Sequence, residues 1–468
     1  MLLSAVLALC LMAPAAQAAD VTRQAYAAMD ASGTLGIAQV DAGALALEPL
    51  EPRSFALGSG ALWVRLQLAP LDPAKTWYLR LSGSTVVDRA TLFTRDAAGR
   101  WQEQRAGDHI PVAQWAHPAP TPLFTVPATG GTAWLRVQNH PAPVSPFLQL
   151  MDQGELQRAQ SWSFLGIGMY LGFGLLVLIV GLIHGHLYRE RVFHSYCAYV
   201  FAMLMFQLAY TGMGGLFLWP QWARWNDTAP ALFMFAMVAA GIWNIREGVA
   251  LQRHSRALDR FTLGFSAAGV LFGLTYSLLL SRPAFALLNL YGLASVVLSI
   301  GLCLWTWRRG ERYSGWLFLG FLPVHLAYPF PALRAAGVIG DSWATQYALL
   351  IGSAIEIPLL LYILHARAKD FSENRARLRA EGPQPADGRV ALAQHIVARG
   401  LEPVRGTDAG LPLEFRVVTA WLPDVAAPAA SRQGGLDEQG VLERLGAALD
   451  QLGREPRRVL LHLEAPAG

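Results

Sequence analysis

The sequence predicts a multidomain membrane protein: an exported antiparallel β-sandwich (jelly-roll-like), a seven-helix transmembrane bundle and a small cytoplasmic α/β tail. Three observations predict it. Seven long apolar stretches run in series from about Phe164 to Leu364, short alternating runs broken by turn residues precede them, and a charged segment follows. The stretch 166–183, GIGMYLGFGLLVLIVGLI, holds no ionisable side chain. About 20 apolar residues at 1.5 Å each match the ~30 Å hydrocarbon core. Lipid offers backbone N–H and C=O groups no partner, so each stretch must be helical.

Composition agrees with this division. The chain is 53% hydrophobic and 15% charged, whereas soluble proteins average about 25% charged. Its net charge is +4, yet residues 370–468 hold 12 Lys/Arg against 14 Asp/Glu, or −2. The basic excess therefore lies beside the helices, and no nucleic-acid partner is expected. Of the three cysteines, Cys10 falls in the leader, while Cys197 and Cys303 fall in apolar helices. Neither a disulfide framework nor a zinc site outside the membrane can be built from them.

Residues 1–18 read as a secretory signal, with LLSAVLALCLMAPAA followed by the A-x-A site Ala16-Gln17-Ala18. The helices are placed near 164–184, 194–215, 228–248, 261–281, 284–306, 315–338 and 344–366. Arg189, Arg191, Arg246, Arg253, Arg256, Arg260, Arg308, Arg309, Arg312, Arg367, Lys369, Arg375, Arg377 and Arg379 fall on one side, and only Arg224, Arg282 and Arg334 on the other. That bias marks the first side as cytoplasmic. The leader and the charge count agree: the N-terminal domain is exported and the C-terminus cytoplasmic, with the bilayer itself a partner.

Before the helices, 61–70 (ALWVRLQLAP), 76–83 (TWYLRLSG), 90–96 (ATLFTRD) and 132–140 (TAWLRVQNH) alternate apolar and polar residues. Gly, Pro, Asp and Asn separate them, the pattern of an antiparallel sandwich. The polar stretch Met151–Glu155 leads straight into the first helix, short enough to pass a mechanical change onward. Trp63, Trp77 and Trp134 lie inside strands and are expected in the core. Trp101 and Trp115 lie in polar, turn-rich sequence and are the candidate ligand-binding aromatics.

Two stretches carry a family resemblance. Gly58-Ser59-Gly60-Ala61-Leu62-Trp63-Val64-Arg65-Leu66 resembles the G-x-x-x-x-W-x-R-L strand of an exported sensor domain, and Val87-Asp88-Arg89-Ala90-Thr91-Leu92-Phe93 resembles its D-x-(V/A)-x-L-(Y/F) strand. In the bacterial seven-transmembrane receptors with diverse intracellular signalling modules, this domain precedes seven helices. The resemblance covers roughly residues 30–366. It implies an inner-membrane receptor whose sandwich binds a small-molecule or carbohydrate-like ligand or an envelope partner. Gly352, Ser353 and Glu356 also match the family's G-S-x-x-E pattern in the last helix.

Ionisable groups at bilayer depth are costly and draw attention. Glu356 lies mid-helix, with Ser353 one turn earlier, and His325 between Pro323 and Pro329 is the expected partner of Glu356. These three form the candidate intramembrane switch. A transporter using Glu356 is the alternative reading. Asn244 and Arg246 read as boundary or snorkelling residues, and His184, His186 and His194 as interfacial loop histidines rather than a metal clip. No cofactor, catalytic residue or metal ligand is signalled.

Beyond the last helix, 367–382 reads as a cytoplasmic helical linker, able to transmit rotation or to pair in a homodimer. Residues 383–468 form a short tail. The resemblance implies a diguanylate cyclase, a kinase or a phosphatase at this position. Yet Gly434-Gly435-Leu436-Asp437-Glu438 carries an inserted leucine, and Leu422-Pro423 stand where a cyclase places its metal-binding Asp. The tail is expected to be a degenerate or truncated cyclase-like remnant without enzyme activity, engaging a separate cytoplasmic signalling protein. The expected divisions are 1–18, 19–155, 160–366, 367–382 and 383–468.

Overall fold

A computed structural model describes residues 19–51, 53–82, 87–279, 282–335, 338–339, 342–380, 401–403, 413–417 and 460–463. The predicted leader and the Gly434–Glu438 segment lie outside the described residues. The chain divides into two units, Met1–Ala368 and Lys369–Gly468.

Among the described residues, ten strands build the N-terminal sandwich: β1 (Ala19–Asp20), β2 (Tyr26–Asp30), β3 (Glu48–Pro49), β4 (Ala61–Leu68), β5 (Trp77–Ser82), β6 (Arg89–Arg95), β7 (Trp101–Ala106), β8 (Leu123–Val126), β9 (Gly131–Gln138) and β10 (Phe147–Asp152). They pair antiparallel as a four-stranded sheet, β1-β10-β5-β8, facing a six-stranded sheet, β3-β2-β4-β9-β6-β7. Alternation along β4 sends Leu62, Val64, Leu66 and Leu68 inward. Leu135 and Val137 of β9 and Leu79 and Leu81 of β5 join them in the core between the sheets.

The opposite face of the six-stranded sheet is covered as well. Trp63, Phe93 and Trp134 pack there with Val40 from the short helix Ile37–Asp41. Trp63 and Trp134 are therefore buried, as expected, but in this second cluster rather than between the sheets. Trp77 sits half-buried at the edge of the main core.

Among the described residues, seven helices long and apolar enough to cross a membrane follow. The first is Gln153–Tyr188, the second Arg191–Tyr210, the third Ala223–Gly248, the fourth Arg256–Leu279 and the fifth Arg282–Arg308. The sixth is Arg312–Ala327 followed by Pro329–Ala335, and the seventh is Ala348–Ala380. Tyr328 keeps helical dihedrals and donates its N–H to Val324 O, but Pro329 has no N–H to continue the ladder, and the sixth helix is interrupted there. The second helix is the most enclosed; the first, fourth and sixth are the most open to lipid. Leu176, Ile183, Leu271, Leu278, Leu290 and Val297 are exposed apolar side chains on the outside of the bundle. In a membrane protein these face acyl chains.

Several boundaries differ from those expected: the third helix starts at Ala223 rather than near 228, the fourth at Arg256 rather than near 261, and the seventh runs on to Ala380, while two others have a visible cause. The first helix begins at Gln153 rather than near 164, because Asp152 caps it. Its Oδ1 accepts the Glu155 N–H at 2.8 Å, and Glu155 Oε2 accepts the Asp152 N–H at 3.0 Å. This capping box fixes the start of a helix. With 36 residues, the helix is about 54 Å long at 1.5 Å per residue and overshoots the hydrocarbon core. The second helix stops at Tyr210 rather than near 215. Gly212 adopts a left-handed φ of +76°, and a π-turn at Gly214–Leu218 follows.

In the second unit the described residues include three short strands, Leu401–Pro403, Leu413–Val417 and Leu460–Leu463, paired antiparallel in that order. The second and third of them overlap the apolar-rich sequence runs EFRVVTAWL (414–422) and VLLHLEA (459–465).

Candidate functional site

The sandwich is joined to the bundle at two places. At the covalent joint, β10 ends at Asp152 and the first helix starts at the next residue. The Gln153 N–H donates to the Thr76 carbonyl at 3.0 Å, and Lys75 Nζ lies 2.7 Å from Asp152 Oδ2. Strand β5 and the helix are thereby tied without an intervening linker.

The second joint is non-covalent, between sandwich loops and the connection from the second to the third helix. Ala113 donates its N–H to the Pro220 carbonyl at 3.2 Å. Leu216 packs against the sandwich core. Gly212 lies directly under Pro120, where an added Cβ would stand 2.2 Å from the Pro120 carbonyl oxygen.

Four ionisable side chains meet beside this contact: Asp88, Asp108, His109 and Asp227, each offering a donor atom within 4.8 Å of every other. Strand pairing assembles the first three. Because Ala90 pairs with Ala106, Asp88 and Asp108 come opposite one another just beyond the ends of β6 and β7. The Asp108 N–H then donates to Val87 O at 2.9 Å, and the His109 N–H to Asp88 O at 3.0 Å. Asp227 comes from the first turns of the third membrane helix. His109 Nε2 lies 3.6 Å from Asp227 Oδ2 and 3.9 Å from Asp88 Oδ2.

The electrostatics are those of crowded, desolvated carboxylates. Asp108 is 3% exposed, and neither of its side-chain oxygens has a hydrogen-bond partner among the described residues. Burial pushes it up, and the nearby Asp227 and Asp88 charges push it further. Burial also raises Asp88 to about 6, against the opposing pull of His109. The Asp227 carboxylate and then the two other carboxylates raise His109, against its partial burial.

Trp115 corrects an expectation. It is 6% exposed, and its indole N–H donates to the carbonyls of Gly107 and Ile110 at 3.2 and 3.0 Å. It is not an exposed ligand platform; it pins the loop that carries Asp108 and His109. Polar neighbours in sequence concealed this, because the loop folds back over the ring. Trp101 is half-exposed on edge strand β7, with the Arg95 guanidinium 4.3 Å from its ring centre.

Within the bundle, Glu356 and His325 have other partners than each other. Glu356 is fully buried, and its Oε1 accepts from Tyr199 Oη of the second helix at 2.9 Å. His325 Nδ1 lies 2.6 Å from its own helix at Phe321 O, and Nε2 lies 2.9 Å from Ser299 Oγ of the fifth helix. Ser353 Oγ meets Tyr170 Oη of the first helix at 2.9 Å. Tyr196 Oη donates to Ile357 O at 2.6 Å, and Ser163 Oγ meets Tyr347 Oη at 2.8 Å. The expected Glu356–His325 pair is replaced by tyrosine bonds from the first and second helices to the seventh. Phenols reach farther than the serines and histidine that sequence inspection singled out.

At the far ends of the helices, Arg246 does not snorkel. Its Nε stands 2.7 Å from Asp259 Oδ1 of the fourth helix, and it also bonds Glu247. Asn244 is buried and accepts from Ser195 Oγ at 3.3 Å. Arg367 Nη1 of the seventh helix donates to Glu247 O at 3.1 Å. His184 lies within the first helix rather than in a loop, stacked on Tyr188 and Phe193 with the His365 ring edge-on to it.

A sandwich seated on seven apolar helices, the first and second of them hydrogen-bonded to the seventh, has the build of a multi-pass membrane receptor. Residues 22–152 match the family described as 7TMR-DISM extracellular 2, and residues 163–367 match that described as 7TM diverse intracellular signalling. The chain belongs to the seven-transmembrane receptors with diverse intracellular signalling modules. No curated protein matches it.

Proposed function

We propose that the sandwich senses a small, carbohydrate-like ligand or an envelope partner, and that the bundle relays the event to a cytoplasmic signalling protein engaged by 367–382 and the tail. One observation carries this reading. Both helices joined to the sandwich are hydrogen-bonded to the seventh, the first through Tyr170–Ser353 and the second through Tyr199–Glu356 and Tyr196–Ile357. The seventh helix continues without a break to Ala380, so a shift at either joint has a packed route to the chain beyond it. A ligand works this way only by binding one arrangement of the joints more tightly than another.

The arginine bias supports a cytoplasmic C-terminus. The inserted Leu436 and the Leu422-Pro423 pair support a tail that recruits rather than catalyses. The test is nucleotide turnover by the full-length chain in lipid nanodiscs with Mg²⁺ and either GTP or ATP. Relay through a separate protein predicts none; turnover of either nucleotide would make the chain a receptor enzyme and overturn the recruiting role.

A further inference from the structure

The group formed by Asp88, Asp108, His109 and Asp227 goes beyond the receptor reading and does not depend on what is sensed. We propose that these four side chains bind one divalent cation of the first transition row, and that the ion fastens the exterior sandwich to the outer end of the third membrane helix.

Donor atoms at about 2.0–2.2 Å from a metal stand roughly 3 Å apart as neighbours and ~4.3 Å apart across the ion. Here four donors from two domains already lie within 4.8 Å of one another, so small side-chain movements complete a shell.

Buried carboxylates are paired, hydrogen-bonded or bound to metal. Asp108 is 3% exposed with both oxygens unpartnered among the described residues, and it belongs to the same group of donors. Three carboxylates face one imidazole, and among the described residues no lysine or arginine forms an ion pair with any of them. Arg89 acts on Asp88 without pairing with it, and a dication supplies the charge that it and His109 do not.

The surroundings hold the donors in place without competing for the metal. The His140 N–H donates to Asp88 Oδ2 at 3.0 Å, and the Asp88 N–H donates to Asn139 Oδ1 at 3.0 Å. The Trp115 indole fixes the carbonyls on either side of Asp108 and His109. Supporting bonds of this kind orient ligands in metal sites.

Donor identity selects the ion. Calcium and magnesium take oxygen ligands, whereas imidazole suits transition metals and carboxylates suit manganese. Three carboxylates with one imidazole match Mn²⁺ or Zn²⁺.

The experiment uses full-length protein in nanodiscs, stripped with EDTA and titrated with MnCl₂ while electron paramagnetic resonance counts free Mn²⁺. ZnCl₂ and CaCl₂ serve as competitors. The expected result is one Mn²⁺ per chain, displaced by Zn²⁺ and not by Ca²⁺, with the melting temperature raised by either transition ion. Asp108→Asn and Asp227→Asn should each weaken binding at least tenfold and abolish the melting shift. Both replacements keep side-chain size and relieve repulsion; circular dichroism verifies folding, and half-exposed His109→Gln provides a third variant if either fails. Absence of saturable Mn²⁺ and Zn²⁺ binding by the folded chain would overturn the proposal. So would equal competition by Ca²⁺, or unchanged binding in the folded variants. None of these readouts requires a signalling ligand, so failure here leaves the receptor reading standing.

Discussion

Gly212→Ala tests whether the sandwich rests on the connection between the second and third helices. Gly212 has φ +76°, and holding an alanine there costs about 1–2 kcal/mol. The added Cβ would also stand 2.2 Å from Pro120 O, well inside van der Waals contact, and overpacking of that kind costs ~1–3 kcal/mol. Together the two effects remove roughly 2–5 kcal/mol of local stability. Gly43→Ala is the control. It has φ +91° and nothing within 4 Å of the added Cβ, so it carries only the backbone cost of ~1–2 kcal/mol.

Hydrogen exchange read by mass spectrometry on nanodisc-embedded protein measures local opening, which suits a multidomain chain lacking a single unfolding transition. Gly212→Ala should speed exchange in 112–122 and 211–222 by about ten- to a hundredfold more than Gly43→Ala perturbs its own neighbourhood, since 1.4 kcal/mol is tenfold. Equal effects of the two variants would refute the close contact between Pro120 and Gly212. So would a Gly212→Ala effect confined to segments remote from the joint.

Asp152→Ala removes the N-cap of the first helix and one end of the Lys75 contact; about 1 kcal/mol of local stability at residues 152–157 should be lost, visible as faster exchange there. Tyr199→Phe leaves buried Glu356 Oε1 without its donor and should cost about 1–3 kcal/mol in a denaturant or thermal series. Glu356→Gln combined with His325→Gln should show losses that add, because the two side chains bond to different partners, and a large coupling energy would contradict that assignment. Cation binding at the joint must displace protons from carboxylates that burial has raised, Asp88 to about 6. Mn²⁺ affinity should therefore fall as pH drops from 7.5 to 5, first as His109, held above its ordinary value, and then as Asp88 takes up a proton, whereas affinity that is flat across that range would exclude these ligands.

The large divisions were legible in the sequence because each rests on a strong local signal. Apolar length marks a membrane helix whatever its neighbours, and period-two alternation marks β4, β5, β6 and β9. Boundaries set by one or two side chains were less legible. The Asp152–Glu155 capping box moved the first helix start to Gln153, and Gly212 shortened the second helix. The Asp/His group was hidden for another reason. Asp88, Asp108 and Asp227 are far apart in the chain, and only the β6–β7 register and the docking of the third helix bring them together. Strand β7, WQEQRA, has little apolar alternation to announce it, yet pairing it with β6 would have placed Asp88 opposite Asp108. Glu356 and Ser353 stood out as polar residues in an apolar run. Their partners Tyr199 and Tyr170 did not, because tyrosine is common near membrane helix ends and its hydroxyl says nothing of where it points.

Hydrogen exchange in the seventh helix, residues 348–368, compared between the unaltered chain and Gly212→Ala, reads whether a disturbed joint reaches the last helix. Coupling of the joints to the last helix through Tyr170, Tyr196 and Tyr199 predicts altered protection around Ser353–Ile357, far in sequence from the substitution. Faster exchange restricted to 112–122 and 211–222, with the seventh helix unchanged, would show that the sandwich can loosen without the bundle responding, and would contradict the relay.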